Sequence, residues 1–488
     1  VKSGYVALAF LAGTNLYAQS VISPTPAAQP APTVESSLAP APDEASPAVA
    51  PIPFRAPALT VETVPGSSFP TTPAPVTRHG GLHFTLREAE AYALANHPSI
   101  MGARLTAESV RQQIVEARSQ FFPQIYLQSD SVKAPPGARL AASGGLNNPS
   151  VFSRQSDGAS LSQLLYDFGH TYELTEAAHF RADAAGDRLR TARATVLLQV
   201  DRAYFDLLRA QAIARVAADT VNERQVAFHQ ITVLTKNQLK SSLDADFAQV
   251  NLSEAQLLQI EGTSDVRNAE AALSTALGFA DAQHFVLQEE PLESGPPGSP
   301  DELVREAWEQ RPELASLRAE QGAADRFARA QESARYPKIT ALAAAGVSPV
   351  SDTSEVKRSY YAAGVNVTVP IFTGGDLEAQ AQEAKLLAQA SVENLVDAQN
   401  TISRDVRVAW EDVQTARERL DVTGQLIQAS TQEEKLASAR YRLGTSSIVE
   451  FVEAQLNSTQ AQLQATSARY DYQSSLALLD FAVGKDSR

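Results

Sequence analysis

YRLGTSSIVEFVEAQ, Tyr441 to Gln455, holds the plan of the whole chain. Ser447-Ile448-Val449-Glu450 predicts a capping box, in which the hydroxyl at the N-cap and the carboxylate at the third helical position each bond the other's backbone N–H. Thr401 to Arg442 is helical in pattern as well. Leu443-Gly444-Thr445 is therefore a tight turn between two long helices, with Gly444 at positive φ, and the stretch is the tip of an αα-hairpin.

Sliding the sequence back by 206 residues places Ser241-Ser242-Leu243-Asp244 under that box, Tyr204 under Trp410, Val200 under Val406, and Leu277-Gly278 under Val483-Gly484. One register holds throughout, so the chain is a tandem repeat. Nearer the start of each copy the offset is 214, with Pro123 matching Pro337. The first copy thus carries eight extra residues before Phe168-Gly169, the match of Gly374-Gly375.

At 488 residues and 44% hydrophobic content the chain can bury a large core, yet aromatics are only 7%, which suits long helices packed through small residues. Zero Cys leaves no disulfide, cysteine nucleophile, thiolate metal site or lipid-bearing cysteine in this sequence. A formal charge of −15 argues against nucleic acid as a partner. No apolar run reaches the roughly 18 residues of a spanning helix, so a membrane crossing requires strands.

Residues 1–20 read as a secretory leader whose apolar stretch Tyr5 to Ala12 ends near Leu16-Tyr17-Ala18, and residues 21–82 as a linker, since Ser23 to Val76 holds fourteen of the 27 prolines. The first repeat is expected over 83–281, a link with a short strand at Phe285-Val286-Leu287 over 282–298, and the second repeat over 299–488. Thr85-Leu86-Arg87-Glu88 and Ser299-Pro300-Asp301-Glu302 start a helix in each copy, bent at Asn96-His97-Pro98 and Gln310-Arg311-Pro312. Order is expected to begin at Thr85.

After Pro123 and Pro337 both copies lose helical character. Tyr360 to Ile371 alternates, with Tyr361, Ala363, Val365, Val367, Val369 and Ile371 on one face, the period of a strand with one apolar side. Lys338 to Val347, Gln124 to Ser131 and Ala159 to Asp167 are weaker versions, so each copy holds a β-hairpin, with loops near 132–149 and 348–359. Long helices follow, their seams running Leu189 to Val221 and Leu395 to Ile427 at spacings of three, four and seven.

Together LREAEAYALANHPSI, LLYDFGH, VPIFTGGDLEAQ, ARYRLGTSSIVEFVEAQ and ARYDYQ resemble the TolC-type outer-membrane efflux channel family, over about His83 to Lys485. The resemblance implies a mainly α chain with a β-barrel part, in which three protomers close a twelve-stranded outer-membrane barrel continuous with a periplasmic α-helical tunnel. It implies localisation in the outer membrane and a passive exit duct in tripartite efflux or type I secretion. The implied partners are two further copies, outer-membrane lipid, a periplasmic adaptor and an inner-membrane RND or ABC transporter. The strands agree on independent grounds, because four strands with unpaired edges demand partner chains. A periplasmic coiled-coil or adaptor protein without a barrel is the alternative.

Glu450 and Glu453 match the positions of an acidic ring at the tunnel's periplasmic mouth, and Tyr441 a residue of the closed gate. The bland readings are a cap for Glu450 and interhelical packing for Tyr441. The family's entrance Arg falls on Ser446 here, and Gln238 stands where relatives often have Gly. Asp244 and Asp246 place further acids at the first tip. Gly169, Gly374 and Gly375 are expected to turn strand into helix. His97, His170, His179 and His229 show no ligand spacing, Gly484-Lys485 is no phosphate loop, and no catalytic constellation appears, so no metal, cofactor or enzymatic activity is expected.

Overall fold

The computed structural model describes residues 77–78, 81–133, 154–292, 298–351 and 358–485. The expected leader, nearly all of the proline-rich linker, most of the first hairpin loop and half of the second lie outside these residues. The element order is β1 (Thr77–Arg78), β2 (Gly81–Phe84), α1 (Leu86–Asn96), α2 (Pro98–Ser119), β3 (Gln124–Val132), β4 (Arg154–Tyr166), α3 (His170–Lys236) and α4 (Ser242–Leu277), followed by β5 (Phe285–Leu287), α5 (Pro300–Gln310), α6 (Pro312–Ser333), β6 (Lys338–Ser351), β7 (Ser359–Thr368), α7 (Asp376–Arg442) and α8 (Ile448–Val483). Each of α3 and α7 has 67 residues, and each of α4 and α8 has 36. A 67-residue helix is about 100 Å long.

The repeat offsets hold to the residue. His170 and Asp376, and Ser242 and Ile448, start their helices 206 apart, whereas Leu86 and Pro300 start theirs 214 apart. The expected bends are full breaks. His97 and Arg311 are extended, at φ −69, ψ 126 and φ −66, ψ 121, because each precedes a proline whose ring excludes the α conformation. Order begins earlier than expected, at β1, which pairs antiparallel with β2, and β2 pairs in parallel with β5 through Leu82↔Phe285 and Phe84↔Leu287. β7 ends at Thr368 instead of Ile371, because Pro370 has no N–H to continue a ladder.

The strands β3-β4-β6-β7 form one antiparallel sheet in that order, so β3 and β7 are its two unpaired edges. Its two faces differ most along β6 and β7. Ile125, Leu127, Val365, Val367 and Tyr361 share one face, with Tyr361 91% exposed. Gln128, Ser160, Ala344 and Asn366 lie on the other. There Tyr360 lies across Gly346 and Gly158, where any added Cβ would strike its ring or hydroxyl. Aromatic side chains gather where sheet becomes helix: Phe168 stacks on Tyr336 at 5.4 Å and packs against Tyr166 at 4.8 Å.

The helices also form an open layer. Near the sheet the order is α2-α3-α6-α7, and towards the far end it is α4-α3-α8-α7. Small residues make the close approach possible, among them Ala177, Ala178, Ala182 and Ala185 on α3 and Ala381, Ala384 and Ala388 on α7. Two larger cores sit midway. In the first, Tyr204 is fully buried and donates to the Gln288 carbonyl (2.6 Å), with the Phe84 carbonyl 3.2 Å from the same hydroxyl, tying α3 to the β2–β5 pair. In the second, Ile402, Val406 and Val413 of α7 pack on Leu476 and Val483 of α8, with Trp410 beside them. Among the described residues no helix is long and apolar enough to cross a membrane.

Candidate functional site at the helical tip

Both hairpins close with the same backbone turn. Gly444 has φ +76, and the Thr445 N–H reaches back to the Arg440 carbonyl at 2.9 Å. In the first copy Gln238 takes φ +59, and the Leu239 N–H bonds the Leu234 carbonyl at 2.9 Å. A residue with a side chain thus holds the left-handed position that glycine holds in the second copy.

Only half of the expected capping box forms at Ser447. Its hydroxyl accepts from the Glu450 N–H at 3.2 Å, but the Glu450 carboxylate takes Arg440 Nη1 at 2.6 Å instead of returning to the backbone. A charged donor at this distance outcompetes a neutral N–H. Thr85 and Glu88 do complete their box, with bonds of 2.9 and 3.2 Å. Glu302 accepts from the Ser299 N–H at 3.1 Å, and that bond holds its carboxyl below the usual range.

Tyr441 is buried, and its hydroxyl donates to Asp244 Oδ2 at 3.1 Å, joining the end of α7 to the start of α4. The ring stacks on Phe451 with centroids 5.4 Å apart, and Lys240 Nζ lies 4.0 Å over it. Desolvation first, then the Asp244 charge, pushes the phenol well above its usual pKa, so it stays protonated as a donor. Ile231, Ala248, Ile448 and Phe451 complete this small core. Glu453 is exposed one turn beyond Glu450, and Asp246 is exposed as well. The Ser446 hydroxyl is buried with no hydrogen-bond partner among the described residues.

At the other end, Gly169 and Gly375 hold φ +92 and +88 as the residues before α3 and α7. Gly374 (φ +67) is matched by Phe168 (φ +56), so the first copy again uses a side-chain-bearing residue where the second has glycine. Asp167 accepts from the Thr171 N–H at 2.8 Å, capping α3 from outside.

Arg224 belongs to none of the sequence motifs. It is 2% exposed on α3, donates to the Gln455 carbonyl (2.8 Å) and Thr459 Oγ1 (3.0 Å) of α8, and lies 4.0 Å from Glu434. Burial pushes its pKa down, and burial together with Glu434 pushes that of Glu223 up. Carrying the α3 seam three residues past Val221 would have exposed an arginine at a core position. Lys240 and Arg440, which partner the named tip residues, were also missed. Glu223, Gln230, Lys240, Glu434, Tyr441 and Arg442 help line a groove of about 430 Å³ between α3 and α7. Among the described residues no group of His, Asp and Glu is placed to hold a metal ion.

The family model described as "Outer membrane efflux protein" matches residues 91–279 and 303–485, one segment in each copy. Among curated relatives, outer membrane protein TolC of Vibrio cholerae is 24% identical over 419 residues, covering 81% of this chain and 90% of that protein. Outer membrane protein OprJ of Pseudomonas aeruginosa is 25% identical over 381 residues, covering 76% and 78%. Among solved structures, the Campylobacter jejuni CmeC outer membrane channel superposes with a TM-score of 0.71 at 19% identity, over 82% of this chain and 85% of that one.

Proposed function

Since the chain belongs to the outer membrane efflux protein family, which its two copies match in turn, we propose that it is an outer-membrane exit duct in which three chains close one twelve-stranded barrel and extend it as a helical tunnel into the periplasm. The observation that carries this reading is the sheet order β3-β4-β6-β7, with both edges unpaired and one face apolar along β6 and β7. An open sheet of this kind leaves rows of N–H and C=O groups without partners, a state lipid does not tolerate and ring closure removes. The helical layer is open along the same two sides, so sheet and helices close together. A barrel-free coiled-coil or adaptor role leaves the sheet unexplained.

The duct is passive, and its energy comes from an inner-membrane transporter of RND or ABC type, linked by a periplasmic adaptor that meets the tip. The exposed Leu239, Leu243, Leu443 and Val449 there suit a protein partner. Glu450 and Glu453 ring the entrance as carboxylates, where low-dielectric walls strengthen their field on passing ions. The Tyr441–Asp244 bond holds the tip shut by tying the two copies of a chain together. Light scattering on detergent-extracted protein tests the reading: three chains per particle are expected, and a stable monomer soluble without detergent overturns it.

A further inference from the structure

Each return helix carries the same short pattern, Gln249-Val250-Asn251 on α4 and Gln455-Leu456-Asn457 on α8, in equivalent positions of the repeat. Among the described residues one member of each is used inside the chain: Asn251 Nδ2 donates to Gln455 Oε1 at 2.9 Å, and both residues are buried. Gln249 and Asn457 remain exposed, and Gln249 reaches no further than Ser253 of its own helix, at 3.4 Å. Residues two apart on a helix point about 200° from each other. Each pattern therefore offers one amide to the partner copy in the chain and the other amide to the opposite side.

We propose that Asn457 of one chain hydrogen-bonds Gln249 of the next, reproducing between chains the Asn251–Gln455 contact seen within one. This inference rests on the ring reading above. The repeat operation that carries Asn251 to Asn457 also carries Gln455 to Gln249, so the residue types needed across the new seam are the ones present. The chain's two free sides agree. Copy 1 ends in β3, α2 and α4, copy 2 ends in β7 and α7, and α8 stands next to α7. The contact joins unlike surfaces, head to tail, so it leaves no unused amide only in a closed ring. Within the chain Arg224 reinforces the seam. Its equivalent is Ser430, so the arginine's hydrogen bonds are not repeated between chains.

The chain has no cysteine, which makes introduced thiols unique. Gln249→Cys and Asn457→Cys chains, carrying different affinity tags, are co-expressed, shown to label fully with a maleimide dye, and treated with a short-arm bismaleimide. A cross-link joining the two tags is expected, absent when either variant is expressed alone, and the double variant is expected to give a ladder ending at three chains. Light scattering is run on the same samples. Particles of three chains without the mixed cross-link overturn this contact and leave the ring standing. Cross-linking between two Gln249→Cys chains shows a twofold contact and overturns it too. Particles that are not trimeric overturn the ring, and this contact with it.

Discussion

The two copies fold to the same backbone with different chemistry at the same positions. At both ends of the long helix the second copy meets a left-handed backbone requirement with glycine, Gly374 and Gly444, whereas the first meets it with Phe168 and Gln238. Phe168 is held by its stack on Tyr336 and its contact with Tyr166, so tertiary packing supplies what glycine would give locally. The acids at the third position of the return helices also diverge. Asp244 reaches across to Tyr441 of the other copy, while Glu450 is taken by Arg440 of its own hairpin. Equivalent positions in a repeat share a backbone path, but their partners are set by what stands opposite.

The sharpest difference is Arg224 against Ser430, and removing it should have the largest effect. Arg224→Ser gives the first copy the second copy's residue, leaves Glu434 without its cation and empties a filled site. The expected loss is about 3 kcal/mol, read as a lowered melting temperature by circular dichroism of detergent-extracted protein. Ser430→Ala, at the matching place, should change it by less than about 1 kcal/mol. Equal effects at the two positions would remove the asymmetry.

The tip turns should respond with opposite signs. Gly444→Ala places a Cβ in left-handed backbone at a cost of about 1–2 kcal/mol. Gln238→Gly relieves the same strain and should stabilise by no more than about 1 kcal/mol, because the unfolded chain also gains freedom. Chemical denaturation of both variants decides the matter, and the turns are not equivalent if the signs agree.

Tyr441→Phe removes the bond to Asp244 with little change in volume and should weaken the tip by roughly 1 kcal/mol, with a higher open probability in planar bilayers. It also has a pH signature. A phenol whose folded pKa is raised contributes stability that is intact below its unfolded value, near 10, and that falls as pH rises above it. Tyr204 is raised in the same direction. Alkaline titration above about pH 10 should therefore destabilise the wild type, and less so the Tyr441→Phe variant. A titration curve unchanged by the substitution would mean that the phenol does not carry this dependence.

The smallest effects on stability belong to Glu450 and Glu453, the acids proposed for the entrance. Glu450→Gln breaks a partly exposed pair with Arg440 and should cost less than about 1 kcal/mol, and Glu453→Gln almost nothing. Their effect on ion flow should be larger than on folding. The reversal potential of the double variant under a salt gradient should shift towards zero, and block by trivalent cations should weaken. If both stay as in the wild type, the two carboxylates are only surface groups.

What could be read from the sequence follows from distance along the chain. Helix lengths, the tip turns and the strand pattern of Tyr360 to Thr368 rest on local spacing, and the 206-residue shift checks each against a second copy. β2 was missed because Gly81–Phe84 is short and its partner, β5, lies about 200 residues away. Glu450 was read as a full capping-box member because Ser447 is three residues off. Its actual partner, Arg440, comes near only after the chain reverses at Gly444. The Tyr441–Asp244 bond joins residues 197 apart, so a likeness to relatives could suggest a role for Tyr441 but nothing local could name its acceptor.

The equal lengths of α3 and α7, and of α4 and α8, work as a ruler. One residue inserted into α3 alone would lower its tip by 1.5 Å and turn every following side chain by about 100°, so the two tips would no longer be level or facing. Insertions and deletions in these helices are therefore tolerable only in matched sets, made in both copies at once. The eight residues by which the copies differ fall outside them, between the start of the first strand and the strand-to-helix turn of each copy. Between the two copies length differs at the hairpins and is constant along the helices, which makes the hairpin loops the natural place to insert a tag or epitope.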